Sequence, residues 1–319
     1  MKEPIHHYMQ VGIVHFVVYP CIDGDGPILE TVHKICSDPY FDVIEISWIH
    51  DQAVRSQVKN MLETSGIHVT YCAHPWLLTQ KLDLNSEDSA HREAAIKVVK
   101  EAIEDAAEYG VKCVALLSGA YTGMSDRAAA INRLADSLQQ ICQYANQYNI
   151  EIVLEIFDQE IDKKRLIGKT TDAVELAEKV CSICDNFGLM VDLSHLPLLG
   201  ETAEQALLPV QSYLKHVHLG NCYIGDRDNP AWGDVHPRFG YPGSENDVEQ
   251  IVDFLQVLFE IGYLQEDDAR RPIVSFEVKP VGQEDPELVI ANAKRKLNAA
   301  WAKLELHSPK VDKALTEVG

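Results

Sequence analysis

The sequence predicts a single (β/α)8 barrel, because short β-rich segments alternate with longer helical patterns along almost the whole chain. No Gly/Ser-rich linker and no change of composition divides it, which favours one domain over residues 1–319. No Gly-x-Gly-x-x-Gly motif follows the first predicted strand, and its absence argues against a doubly wound nucleotide-binding sheet. A chain of 319 residues has room for a barrel of ~250 residues with insertions.

The predicted strands are short runs of apolar and β-branched residues. This is the composition expected of parallel strands that are buried on both faces. In chain order they occupy 12–19, 42–49, 68–74, 113–118, 150–157, 189–193, 216–220 and 273–278.

Helical patterns fill the segments between these strands. In 96–110 and 131–145, apolar residues recur every three or four positions, as a helix with one buried side requires. Asp285 and Pro286 are typical of a helix start, with an N-cap followed by proline at the first helical position. Gly110 falls where a helix should end. We therefore expect helices between the strands, with the last helix closing the ring.

Acidic residues dominate the charged positions, with 49 Asp and Glu against 28 Lys and Arg and a net charge of −21. Such a chain repels nucleic-acid backbones and anionic membrane surfaces, so we expect neither as a partner. The apolar runs are shorter than the ~20 residues that span a bilayer, and residues 1–10 lack the apolar core of a signal peptide. The 8 cysteines are scattered in a chain large enough to fold without disulfides. We therefore expect reduced thiols and a cytoplasmic protein.

Ionisable residues close four consecutive predicted strands, with Glu155 on the fifth, Asp192 on the sixth, His218 on the seventh and Glu277 on the eighth. In this fold the carboxyl ends of the strands meet at the face where chemistry takes place. Three carboxylates and one imidazole form an oxygen-rich ligand set. Such ligands suit Mn²⁺ or Mg²⁺ and differ from the thiolates of a typical cysteine-bound zinc site. The sequence therefore predicts one divalent-metal site, with Mn²⁺ as the expected ion and Mg²⁺, Co²⁺ or Zn²⁺ as alternatives.

Further polar residues follow the predicted strands or lie in the long segment 219–246 after the seventh strand. That segment is rich in glycine, proline and aromatic residues, cannot form a helix, and is predicted to be a loop over the active site. The alternative is an ordered loop that only covers the barrel rim. Glu45 and Ser118 also close predicted strands, without an assigned role. The candidate substrate-binding residues are His15, Asp158, Asn221, Trp232, His236 and Lys279.

The order of the strand-end residues carries a family resemblance. Glu155, Asp192, His195, His218 and Glu277 match a glutamate on the fifth strand, an aspartate on the sixth with a histidine three residues later, a histidine on the seventh and a glutamate on the eighth. In this pattern the chain resembles the xylose isomerase-like TIM barrels, a superfamily of sugar isomerases and epimerases. The resemblance implies that four of these residues ligate one divalent ion, that His195 contacts the substrate, and that the two glutamates exchange protons with a sugar carbon.

One branch of that superfamily, the metal-dependent abasic-site endonucleases, resembles the chain at additional positions. Asp234-Val-His236 matches its extra pair of metal ligands, and His74 fits its third-strand histidine. In that branch a further metal-binding histidine ends the fourth strand, but the corresponding position of this chain falls near Ser118. The net charge of −21 also contradicts a DNA-binding surface. A nuclease is therefore not expected. Asp234 and His236 either hold a second metal ion or belong to a loop that contacts substrate.

The loop 219–246 and the segment 157–168 resemble a subgroup that contains the α subunits of bacterial C-glycoside deglycosidases. This resemblance implies a metal-dependent carbon–carbon lyase that acts on 3-oxo-C-glucosides in a hetero-oligomer with a smaller β subunit. Within 157–168, Lys163, Lys164 and Arg165 could bind a phosphate or carboxylate, or could form a solvated helix face that balances local acids.

The expected reaction, in carbohydrate metabolism, is therefore enolisation of a keto-sugar followed by elimination of the aglycone. The main alternative is a keto-sugar isomerase or epimerase that works through a metal-bound enediolate, and the minor alternative is a non-catalytic sugar-binding barrel. A histidine titrates near neutrality and a metal-linked glutamate can still reach a proton, so several residues are candidate acids or bases. The candidate catalytic residues are Glu155, Glu277, His195 and His74.

Overall fold

The computed structural model describes residues 3–266 and 271–305, and within them eight parallel strands close into one barrel. The strands pair in chain order, and the first also pairs with the eighth, where Gly12 lies opposite Ser275. The predicted (β/α)8 architecture is therefore confirmed. The strands are β1 Gln10–Val14, β2 Val43–Ile46, β3 His68–Cys72, β4 Cys113–Leu117, β5 Glu151–Ile156, β6 Phe187–Asp192, β7 Leu214–Gly220 and β8 Ile273–Glu277.

Helices of very different length connect the strands. Across the described ranges, none of them is both long enough and apolar enough to cross a membrane. They are α1 His15–Val18, α2 Ile28–Cys36, α3 Gln52–Ser65, α4 His74–Thr79, α5 Ser89–Glu108, α6 Arg127–Asn146, α7 Thr170–Cys181, α8 His195–Leu199, α9 Ala203–Leu207, α10 Val248–Glu260 and α11 Pro286–Lys303, with a 3-10 turn at Ile5–His7.

The long helices bury one apolar stripe each, as their periodicity predicts. In α6, Leu134, Leu138 and Ile141 have no exposed surface. Full burial of one such side chain contributes about 1.5–3 kcal/mol, so these stripes are a main source of stability. The side chain of Asp285 accepts hydrogen bonds from the first backbone N–H groups of α11, which confirms the predicted start of that helix.

The connection between β7 and α10 is the long loop that the sequence predicts. It spans residues 221–247 and contains neither helix nor strand, only an isolated bridge between Tyr223 and Gly233. Because β7 ends at the carboxyl face of the barrel, this loop starts beside the predicted metal ligands.

The first strand is shorter than the predicted 12–19. It ends at Val14, and His15–Val18 form the one-turn helix α1. An apolar run of this length is compatible with either a strand or a buried helix. β1 pairs with β2 at three positions only, of which Val14 is the last. The residues after Val14 form no further strand pairs, and Phe16 is buried as part of helix α1.

Candidate active site

The predicted metal ligands meet at the carboxyl end of the barrel. Glu155, Asp192, His218 and Glu277 lie at or near the ends of β5, β6, β7 and β8. One ligand-capable atom from each lies within 4.8 Å of those from the other three. Glu155, Asp192 and His218 are buried, and Glu277 is partly buried. The structure thus brings these four residues together in one cluster.

The chemistry of this cluster fits a divalent cation. Asp192 is fully buried, and its Oδ2 has no hydrogen-bond donor among the described residues. Its Oδ1 accepts from the backbone N–H of Ser194 at 2.7 Å. Burial raises the pKa of Asp192 to about 6, an effect that His195 and His236 only partly oppose. A buried carboxylate needs a compensating positive charge, and an oxygen-rich set with one imidazole suits Mn²⁺ or Mg²⁺.

Two histidines keep Glu277 ionised. His218 Nδ1 lies 2.8 Å from Glu277 Oε2, and His236 Nε2 lies 3.3 Å from Glu277 Oε1. Burial alone would raise the pKa of Glu277, but His236 and His218 outweigh it and lower the pKa to about 2. At neutral pH Glu277 is therefore a carboxylate that can bind a cation.

The long loop brings Asp234 and His236 to the same face of the barrel. Asp234 Oδ1 lies 3.2 Å from His195 Nε2 and 3.3 Å from His236 Nε2. Asp192, His195 and His236 form a second group whose ligand-capable atoms lie within 4.8 Å of one another. The two residues that the sequence left open as a second metal site thus lie beside the first cluster.

His195 lies behind Asp234 and is not among the residues that line the cavity. Its Nδ1 donates to the backbone carbonyl of Ile156 at 2.7 Å. Burial works to lower the pKa of His195, but Asp234, together with Asp192 and Glu155, outweighs it and raises the pKa to about 10. The raised pKa favours the charged form of His195, which pairs with the carboxylate of Asp234 at 3.2 Å.

His74 begins α4 and faces Glu155. Its Nε2 lies 3.0 Å from Glu155 Oε2, and its ring centroid lies 6.0 Å from that of Phe157. Each of the two glutamates in the cavity thus has a histidine beside it, His74 at Glu155 and His236 at Glu277.

A second layer of polar residues lies inside the barrel next to His218. Glu45 on β2 is fully buried, and its Oε1 lies 2.8 Å from His216 Nε2 and 3.1 Å from His218 Nε2. Burial alone would raise the pKa of Glu45, but His216 and His218 hold it well below its ordinary value. Sequence reasoning did not single out His216. The available signal was strand alternation, which places residues 216 and 218 on the same side of β7.

The cavity at this face has a volume of about 230 Å³. Its polar lining includes His74, Glu155, His218, His236 and Glu277, with Lys163, Asp234 and Lys279 beside them. The remainder is largely apolar, and we call the following residues the apolar lining: Phe16, Val17, Pro20, Ile22, Leu78 and Phe157. Of the predicted substrate-binding residues, His236 and Lys279 line the cavity.

His15 and Trp232, which were expected to contact substrate, lie outside the cavity lining. His15 is buried in α1, and its Nε2 lies 2.8 Å from Thr31 Oγ1. The reason is the early end of β1, which turns residue 15 into the start of a helix. The ring of Trp232 packs against the guanidinium of Arg227, 5.3 Å from its centroid, and so stabilises the long loop.

Asp158 and Asn221 also lie outside the cavity lining and organise loops instead. Asp158 accepts hydrogen bonds from the backbone N–H groups of residues 161, 162 and 163. Asn221 donates to the carbonyl of Arg238 and to the hydroxyl of Ser244. Short polar side chains next to a strand end readily satisfy nearby backbone groups, which explains both arrangements.

The loop after β5 is clamped to the loop after β7. Lys163 Nζ donates to the carbonyl of Asp234 at 2.8 Å, and Asp162 Oδ2 accepts from the backbone N–H of Asp234 at 2.9 Å. Segment 157–168 is an irregular loop rather than a helix. Lys163 is therefore not part of a solvated helix face, and its ammonium group positions Asp234.

Comparison with known families gives one match over most of the chain. The family described as "Xylose isomerase-like TIM barrel" matches residues 38–298. A search of the curated proteins found no match.

Several solved structures share the fold. D-psicose 3-epimerase from Clostridium cellulolyticum H10, solved with D-tagatose, is 18% identical with a TM-score of 0.68, and the match covers 93% of this chain and 100% of that chain. An L-ribulose 3-epimerase is 19% identical with a TM-score of 0.69, over 94% and 100% of the two chains. The 3-keto-D-glucoside 4-epimerase of E. coli is 18% identical with a TM-score of 0.62, over 91% and 99%. At these identities the similarity shows the barrel fold.

Proposed function

This chain belongs to the xylose isomerase-like TIM barrel family, and from that premise we propose that it is a divalent-metal-dependent epimerase or isomerase of a keto-sugar. The observation that carries the proposal is the cluster of Glu155, Asp192, His218 and Glu277 at the carboxyl end of the barrel. The sugar 3-epimerases and the 3-keto-glucoside 4-epimerase among the similar structures support this function. They support it better than the carbon–carbon lyase with a smaller β subunit that the subgroup resemblance implies.

Glu155, Asp192, His218 and Glu277 would hold the cation, and Mn²⁺ suits three carboxylates and one imidazole. Once bound, it would polarise the ketone of a sugar and stabilise the negative charge that develops when a proton leaves the adjacent carbon. The buried Oδ2 of Asp192, which has no hydrogen-bond donor in the described chain, supports a cation at this place.

The protein residues would move the proton. An epimerase removes a proton from one side of a carbon and returns a proton to the other side, which requires two acid–base groups. Glu155 and Glu277 both line the cavity and take these two roles. His74 lies 3.0 Å from Glu155 Oε2, and His236 lies 3.3 Å from Glu277 Oε1. Each histidine is thus close enough to exchange a proton with its carboxylate.

Cleavage of a 3-oxo-C-glucoside is a second candidate function, and the apolar lining favours it. A free ketohexose is covered with hydroxyl groups, whereas Phe16, Val17 and Leu78 offer it no side-chain hydrogen bond. An aglycone ring could pack against these side chains. In this reaction a base removes the C2 proton, the C1–C2 double bond forms as the bond from C1 to the aglycone breaks, and the aglycone takes up a proton.

Incubation in D₂O distinguishes the two reactions. The purified chain with Mn²⁺ is given free ketohexoses, 3-keto-glucosides and 3-oxo-C-glucosides in turn. Epimerisation should place deuterium on the inverted carbon, whereas cleavage should release the aglycone. Glu155→Gln should remove the activity that is found, and the matched variant Glu93→Gln, at an exposed position of α5, should keep it. A wild-type chain that binds Mn²⁺ but places no deuterium on a sugar carbon would contradict the epimerase or isomerase function. Failure to release the aglycone both alone and with a co-purifying smaller subunit would contradict the lyase.

A further inference from the structure

We propose that Glu45 is a positioning residue of the metal centre, which orients His218 so that its Nδ1 faces the cation. This inference rests on the proposed function, because it requires His218 to be a metal ligand. Glu45 lies on β2, away from the four strand ends that supply the candidate ligands. It is completely buried, and a carboxylate persists in such a place only when donors surround it.

Two histidines of β7 supply those donors. Glu45 Oε1 lies 2.8 Å from His216 Nε2 and 3.1 Å from His218 Nε2. A carboxylate oxygen accepts hydrogen bonds, so each ring presents an N–H at Nε2. The two ring centroids are 5.1 Å apart and the ring planes are inclined by 83°, so the donors reach one oxygen from two directions.

The contact with Glu45 decides which nitrogen of His218 is available to a metal ion. A neutral imidazole carries one N–H and one lone pair. With one proton on Nε2, Nδ1 is the atom that can offer a lone pair to a cation. In the metal-free chain Nδ1 lies 2.8 Å from Glu277 Oε2, a contact that needs a second ring proton, and a bound cation would replace that proton. Metal-bound histidines commonly donate their other ring N–H to a carboxylate, which fixes the ring and makes it a better ligand.

His216 limits the side-chain conformation of Glu45 and is not one of the four candidate metal ligands. β2 and β7 are not neighbours in the barrel, so the side chain of Glu45 has to cross the barrel interior to reach His218. A glutamate has several rotatable bonds, and a second donor at 2.8 Å reduces its freedom. His216 is not one of the cavity-lining residues, which leaves it no direct access to substrate.

A cation held by these three residues is the competing explanation, since their ligand-capable atoms lie within 4.8 Å of one another. The N···O separations of 2.8 and 3.1 Å are ordinary hydrogen-bond distances. Oε1 of Glu45 thus has two histidine donors, whereas the candidate metal cluster contains an oxygen, Asp192 Oδ2, that has no donor in the described chain.

Calorimetric titration of the metal-free chain with Mn²⁺ tests the proposal. Glu45→Met keeps the length of the side chain but removes the acceptor, and it should weaken Mn²⁺ binding about 10–100-fold. Glu45→Gln restores an acceptor and should recover part of that loss. The matched control is Asp105→Asn, a change to another buried carboxylate, which is bonded to Tyr71 and Arg55. It should leave Mn²⁺ affinity unchanged even where it lowers the melting temperature.

Three other results of the Mn²⁺ titration would contradict either the proposed function or the role of Glu45. A wild-type chain that binds no Mn²⁺ contradicts the proposed function itself. If wild type binds Mn²⁺ and Glu45→Met binds it equally tightly, only the role of Glu45 is wrong. A second Mn²⁺ per chain that disappears in Glu45→Met also overturns the role, because it identifies Glu45 as a ligand.

If Glu45→Met does not fold, the orientation of His218 can be tested on the wild-type chain. Long-range ¹H–¹⁵N NMR of the Mg²⁺-loaded protein, with the His218 signals assigned by their loss in His218→Gln, shows which ring nitrogen carries the proton. A proton on Nε2 supports the proposal. A proton on Nδ1 overturns it.

Discussion

His236 Nε2 lies 3.3 Å from Oε1 of Glu277, so a residue of the long loop meets a residue of β8 at the cavity. His236 has a φ of 56°, a left-handed conformation that costs a residue with a Cβ about 1–2 kcal/mol. The backbone N–H of Lys279 donates to the carbonyl of His236 at 2.7 Å and holds the loop there. The loop is thus held at the end of β8, where His236 can take part in the reaction in addition to covering the cavity.

Replacement of His236 by asparagine should lower kcat about 10²–10⁴-fold, because the group that shares a proton with Glu277 is lost. Asparagine tolerates positive φ, so the loop conformation should survive the change. Steady-state kinetics measure the effect, and a Mn²⁺ titration of the same variant controls for damage to the metal site. An unchanged kcat would show that His236 takes no part in the reaction.

Removal of the metal ion should abolish turnover reversibly. A chain treated with EDTA and dialysed should be inactive and melt at a lower temperature, and Mn²⁺ should restore both properties. Binding at a hundred times Kd stabilises the folded state by about 2.7 kcal/mol, a shift that calorimetry detects. Lys179→Ala, in α7, serves as a variant that should behave as wild type throughout. Full activity after chelation would contradict a metal-dependent reaction.

We expect one Mn²⁺ per chain. Lys163 Nζ lies 3.6 Å from Asp234 Oδ2 and donates to the carbonyl of the same residue. A positive charge therefore already lies beside Asp234, one of the two residues that would hold a second ion. Mass-spectrometric metal analysis of the purified protein gives the stoichiometry. A value of two that falls to one in Asp234→Asn would instead assign a second ion to Asp234 and its histidine neighbours.

Gly233→Ala should destabilise the chain more than Gly110→Ala does. Both glycines have positive φ, 87° and 71°, so both changes carry the same backbone cost of about 1–2 kcal/mol. A Cβ on residue 233 would also come within 2.7 Å of Asp162 Oδ2, whereas one on residue 110 would meet nothing within 4 Å. Urea denaturation of both variants measures the difference. Equal losses would mean that Asp162 moves without cost and that the clamp on Asp234 is weak.

Leu78→Gln tests the apolar lining. The change should reduce kcat/KM for a substrate with an apolar aglycone by about 10-fold or more, and should affect a free ketohexose less. The free sugar therefore acts as the internal control for the same variant. Equal effects on both substrates would remove the argument for an aglycone at this place in the cavity.

The fold and the grouping of the candidate metal ligands follow from the order of residues along the chain. Alternation of strands with helical segments requires parallel strands, because each crossover returns the chain to the same end of the barrel. All carboxyl ends then share one face, so residues that close consecutive strands must lie together there. The positions of Glu155, Asp192, His218 and Glu277 in the sequence therefore predict that they form one cluster.

Which polar residues lie at the candidate site depends on tertiary contacts that are not visible in the sequence. Asp158 and Asn221 follow strands just as the ligands do, yet their short side chains bond to nearby loop groups, a choice that depends on loop geometry and not on position in the chain. The contact between Glu45 and His218 joins strands that are not neighbours, across 173 residues of sequence. Such a contact exists only once the barrel has closed, because closure sets the distance between side chains that face each other across its interior.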